Sequence, residues 1–181
     1  MAGELSAEEV IALLGLQPHH TCGFVAQTYV SPHMLPESAL PDGFRGARSA
    51  GAVMYFMVTG DAHIVMHAIR SDQVYHHYLG RPLEVLLLYP DGRGEVRLMG
   101  GDLASGQRPQ LFIPGGTVHM SRVSGGEGYA LLGTSEWIGV DPADVVTPAL
   151  EDLVGTYPAH SEEIRAFSRG TAPLARPLVR T

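Results

Sequence analysis

The sequence predicts an all-β domain, a sandwich or closed barrel, with one short helix ahead of it and a helical extension behind it. From Phe24 onward, short apolar or alternating runs recur at 24–30, 51–59, 62–69, 73–79, 83–89, 94–99, 110–113, 118–123 and 128–135, divided by Gly, Pro and Asp. Many short strands at near-regular spacing belong to sandwiches and barrels rather than to α/β folds. Two of the dividers, Pro90-Asp91-Gly92 and Gly100-Gly101-Asp102, are turn sequences, because Pro presets φ, Asp bonds its own backbone and Gly takes positive φ at no steric cost. After Trp137 the strand pattern stops.

Taken in order, Ser6-Ala7-Glu8-Glu9 is a capping box, and Val10, Leu13, Leu14 and Leu16 give an apolar stripe, so residues 6–15 should form a helix stopped by Gly15. Residues 31–49 carry three prolines and two glycines and read as an irregular loop placed to cover a barrel mouth. Residues 148–154 and 161–167 read as short helices, the second with Ser161 as its N-cap. The tail 170–181 is expected to fray or to dock on a neighbour. The organisation is one domain: helix and leader 1–23, barrel 24–139, helical extension and tail 140–181.

Composition removes several functions. A length of 181 residues with 45% hydrophobic content suits one packed domain. No window approaches the roughly 18 apolar residues of a membrane span, and the acidic start Met1-Ala2-Gly3-Glu4 lacks the basic opening of a secretory signal, so a cytoplasmic location is expected. A net charge of −7 argues against a nucleic-acid partner. Cys22 is the single cysteine, which excludes an internal disulfide and a multi-cysteine zinc site and reads as a small packed residue. All 12 basic residues are arginine, so no lysine is present for Schiff-base chemistry.

The chemistry-bearing stretch is His67-Ala68-Ile69-Arg70-Ser71-Asp72-Gln73, with Gly80 beyond it, and Pro114-Gly115-Gly116-Thr117-Val118-His119. These resemble the two signature motifs of a cupin barrel: His-x-His, three or four residues, Glu, six residues, Gly; then Pro-x-Gly-x-x-His, three residues, Asn. The resemblance extends over residues 10–135 to the cupin_5 branch. Its leader is represented by Leu13-Leu14-Gly15-Leu16-Gln17-Pro18-His19-His20, its "RETY" by Ala26-Gln27-Thr28-Tyr29, and its "SDEIWHFYAG" by residues 71–80. Residues 106–116 stand for its "GERPQVVVPAG". The resemblance implies a double-stranded β-helix, or jelly-roll, and a homodimer.

Three motif ligands are replaced: Ile69 stands at the second His, Gln73 at the Glu and Val123 at the Asn. Thr21 and Gln27 likewise stand where the branch carries glutamate, and His77 replaces an aromatic residue. An amide in place of a carboxylate keeps a hydrogen-bonding shape and removes the anionic oxygen a divalent cation prefers. No cofactor is therefore expected; if a metal binds, it binds weakly to His67, Gln73 and His119.

Strand alternation puts His63 and Val65 on the face of His67, and Tyr75 and His77 on the face of Gln73. Residues four apart are about 13 Å apart, which stops His63 and His67 from sharing one ion. The expected catalytic set is His67 or His119 as base and Tyr75 as acid, with Gln73, His77, His63 and Gln27 contacting substrate. His19-His20 reads as an ordinary loop pair.

Three readings of function follow. One is a metal-independent small-molecule enzyme, an isomerase, epimerase, cyclase or dehydratase, in which a histidine near its reference pKa of about 6.5 moves a proton. A second is a metal-dependent cupin with a reduced His/Gln site. A third is a barrel that binds a small molecule without turning it over.

Overall fold

The computed structural model describes residues 5–62 and 64–169. A cavity role for His63 and the state of the tail 170–181 lie outside the described residues.

Helix α1 (Ala7–Leu14) opens with the expected reciprocal cap: Ser6 accepts from the Glu9 amide and Glu9 accepts from the Ser6 amide, and Gly15 closes the helix at φ 63°. Strands follow as β1 (Gln17–His19), β2 (Gly23–Val30), β3 (Met34–Leu35), β4 (Arg48–Ser49), β5 (Ala52–Thr59), β6 (Ile64–Ile69), β7 (Asp72–Gly80) and β8 (Leu83–Leu88). Next come β9 (Gly94–Met99), β10 (Gln110–Ile113), β11 (Val118–Val123), β12 (Tyr129–Trp137) and β13 (Val145–Val146), then α2 (Leu150–Thr156) and α3 (Ser161–Ser168). Among the described residues these strands form two facing sheets, β1-β2-β5-β12-β7-β10 and β13-β6-β11-β8-β9, with β3 and β4 a separate pair.

The core between the sheets joins Phe56, Val58 and Leu132 of the first to Ile64, Val85 and Leu87 of the second. Strand β8 explains how a strand can be apolar at nearly every position. Leu83, Val85 and Leu87 face the interior, while Leu86 and Leu88 face outward onto Leu153 of α2 and Ile164 and Phe167 of α3. The C-terminal helices are thus the cover of the second sheet, and α1 with the residue just past its cap covers the first, through Val10 and Leu16 on Met57 and Leu131.

Three local expectations change. Ser161 is the first residue of α3 rather than its cap, because the 3-10 turn Pro158–His160 runs straight into the helix. The strand pattern does not end at Trp137: Val145 and Val146 pair with Ile69 and Ala68. Residues 31–49 do not line the cavity described below; they are tied beside it, where buried Arg48 donates to buried Asp144 at 2.9 Å. No described helix is long and apolar enough to cross a membrane.

Candidate functional site

The two sequence motifs meet because their strands pair. His67 on β6 and His119 on β11 are directly opposed across the second sheet, and their rings lie 4.4 Å apart. On the first sheet, Gln73 of β7 is directly opposed by Glu136 of β12, and Tyr75 by Thr134. The turn between β10 and β11 is fixed to the start of β7 by Asp72, which accepts from the Gly115 amide at 2.7 Å.

Both motif imidazoles have their tautomer set by backbone carbonyls, which can only accept. His67 Nδ1–H donates to Val65 at 2.8 Å, and His119 Nδ1–H donates to Thr117 at 3.1 Å. Each Nε2 is then a lone-pair acceptor. That of His119 receives the Tyr75 hydroxyl hydrogen at 3.0 Å, a bond that crosses from one sheet to the other. Burial pushes the His67 pKa below its ordinary value, and it pushes His119 down to about 3 with His67 adding to the fall. Desolvation also drives the Tyr75 phenol well above its usual range. All three groups are neutral at pH 7.

A cavity of about 320 Å³ opens at this end of the barrel. His67, Gln73 and Tyr75 line it, and Gln27 stands at its exposed rim. His119 does not reach the wall; it sits one layer behind, 1% exposed, and touches the cavity through Tyr75. His77 is also absent from the lining, and its Nε2–H donates to the Arg81 carbonyl at 2.9 Å. The parity argument for His77 neglected length: four residues beyond Gln73 along β7 lies about 13 Å away, at the opposite end of the barrel.

Sequence reasoning missed Glu136. It is 6% exposed, lines the cavity, and carries a carboxyl raised by burial to about 7, with a hydrogen bond from Gln73 as the opposing influence. The available signal was partial: Ala130 and Leu132 pack into the core between the sheets, Thr134 lines the cavity and Glu136 shares their parity, but β12 is buried on both faces up to Thr134, so its pattern alone does not mark Glu136. His19 and His20 were passed over as well. They line the cavity because β1 folds back antiparallel onto β2, and the Thr21 amide donates to His19 Nδ1 at 3.3 Å. Cys22 is in the wall, but burial lifts its thiol to about 11, which leaves it an unreactive packed group.

The residues do not fit the metal ion that cupins commonly carry. Ile69 stands at the second His of the first motif, the His119 lone pair is taken by Tyr75, and the Gln73 amide is directed at Glu136. Among the described residues no three His, Cys, Asp or Glu side chains are arranged to hold an ion.

A family model described as cupin superfamily (DUF985), Cupin_5, matches residues 8–145. The chain belongs to this cupin family. Of solved structures, this cupin is similar to a hypothetical protein from Leishmania major at 25% identity, TM-score 0.79, covering 90% of this chain and 98% of that one. It is similar to a protein from Shewanella oneidensis at 25% identity, TM-score 0.75, covering 96% and 99%. A likeness to CapF, determined with the inhibitor 3-isopropenyl-tropolone, at 11% identity and TM-score 0.52 over 73% of this cupin and 33% of that chain, reflects the fold alone. No curated protein sequence gives a significant match.

Proposed function

We propose that this cupin is a metal-independent enzyme that moves a proton on a small molecule, as an isomerase, epimerase, cyclase or dehydratase does. The observation that carries the reading is the Glu136 carboxyl, buried at the wall of the cavity with an amide as its partner and, among the described residues, no arginine bonded to it. A carboxyl desolvated to a pKa near neutrality gives and takes a proton at working pH. His67 supplies the second proton-handling group, since its Nε2 lone pair belongs to a neutral ring that lines the same cavity. In this scheme one of the two removes a proton from the substrate while the other returns one.

The remaining groups act as supports. Tyr75 has its hydroxyl hydrogen committed to His119, so it shapes the wall and accepts hydrogen bonds instead of serving as the acid. His119 positions Tyr75. Gln73 holds Glu136 and moderates its pKa. The test is deuterium incorporation into neutral hydroxyketones and lactones in heavy water, read by mass spectrometry. Wild-type protein should exchange a carbon-bound hydrogen, and Glu136→Gln should lose the exchange by about 10²-fold or more. Equal rates in the two proteins would remove Glu136 from the chemistry.

A further inference from the structure

The charge inventory of the cavity limits what can enter it. Among the described residues no arginine lines the wall, and the chain contains no lysine. The two arginines beside the wall segment 140–145 are turned onto Asp144, Arg48 at 2.9 Å and Arg70 at 3.8 Å, and neither reaches the cavity lining. The wall that segment provides is apolar: Val140, Pro142 and Val145 stand with Phe56, Ile64 and Ile69.

Most of the buried polar groups that remain can accept a hydrogen bond; they share the wall with His20 and with His19, whose Nδ1 takes the Thr21 amide and leaves Nε2–H as a donor. His67 offers the Nε2 lone pair left by its bond to Val65, and Glu136 offers carboxyl oxygens. Gln73 and Thr134 each carry a buried oxygen with no hydrogen-bond partner, Gln73 Oε1 and Thr134 Oγ1. A buried polar atom left unpaired is costly, so a ligand that brings donors to these walls is favoured. An anionic ligand would leave its own charge unpaired beside a carboxyl in an apolar setting.

We propose that the cavity takes an uncharged, mainly apolar molecule bearing a hydroxyl donor, and that it excludes carboxylates and phosphates. This rests on the functional reading above for the identity of the site, but it concerns binding alone. A volume of about 320 Å³ lies at the small end of ligand pockets, which run from about 300 to 1,000 Å³, so a single ring with a short substituent is the size expected.

Four probes of one shape test it: benzyl alcohol, toluene, benzoate and benzylamine, with affinities measured by ligand-observed NMR. Benzyl alcohol should bind tightest, about tenfold or more over benzoate, a difference of about 1.4 kcal/mol. Gln27→Arg, at the exposed rim, should raise benzoate affinity by placing a cation where the native cavity has none. Benzoate binding as well as the alcohol, benzylamine binding better than it, toluene matching it, or no probe binding would each overturn the proposal. Charge-selective binding without proton exchange in any substrate would retire the enzymatic reading and leave this one standing; exchange with charge-blind binding would do the reverse.

Discussion

At the scale of the residue, the site is defined by a pair of substitutions relative to the cupin motif. Ile69 removes a ligand, and Gln73 replaces a carboxylate with an amide whose partner, Glu136, is its direct neighbour on β12. Returning the carboxylate reverses this logic. Gln73→Glu sets two carboxyls side by side near His67, and a divalent cation relieves their repulsion. Calorimetric titration with Ni²⁺ should show the variant binding about tenfold or more tighter than the parent. No gain would mean that His67 and position 73 do not converge. That His67, Gln73 and His119 come together was legible from motif spacing, because cupin ligand positions follow the chain. Glu136 was not, because its relation to Gln73 is a cross-strand register between segments more than sixty residues apart in sequence.

At the scale of the element, strand and helix bounds were readable from apolar runs, caps and turn chemistry. Strand β11, expected at 118–123, is observed as Val118–Val123, and the Ser6 and Glu9 cap marks the start of α1 as its residue types require. What was not readable is which element covers which. The run at 83–88 is buried on both faces only because α2 and α3 lie over it, and a single-strand pattern carries no information about a helix some seventy residues later. That cover makes a prediction. Ile164 of α3 is 0% exposed and packs in the cluster with Leu86, Leu88 and Met120. Ile164→Ala should lower stability by about 2–5 kcal/mol, read as a fall in the denaturant midpoint. A change within about 0.5 kcal/mol would show that the helices are not part of the barrel's cooperative unit.

At the scale of the whole molecule, the buried titratable groups set the pH dependence of stability, and their signs differ. Glu136 has a folded pKa of about 7 against an ordinary 4.5. Between those values the folded chain keeps a proton that the unfolded chain has lost, so its contribution is present below 4.5 and is lost as pH rises towards 7. The histidines act oppositely. His67 and His119 are held below 6.5 when folded, His119 at about 3, so the unfolded chain takes up protons first and stability falls as pH drops below 6.5. The two effects overlap in wild-type protein, and a variant separates them. Thermal melts of Glu136→Gln relative to wild type should show the difference moving in favour of the variant by about 3 kcal/mol between pH 4 and pH 8. A difference independent of pH would mean that Glu136 ionises as an ordinary surface carboxylate does. That one carboxyl is titrated most directly by NMR, with the side-chain carboxyl carbons of glutamate labelled with ¹³C and the Glu136 signal assigned by its loss in Glu136→Gln. The midpoint is expected near 7; a midpoint at the ordinary 4.5 would contradict a buried proton-handling carboxyl.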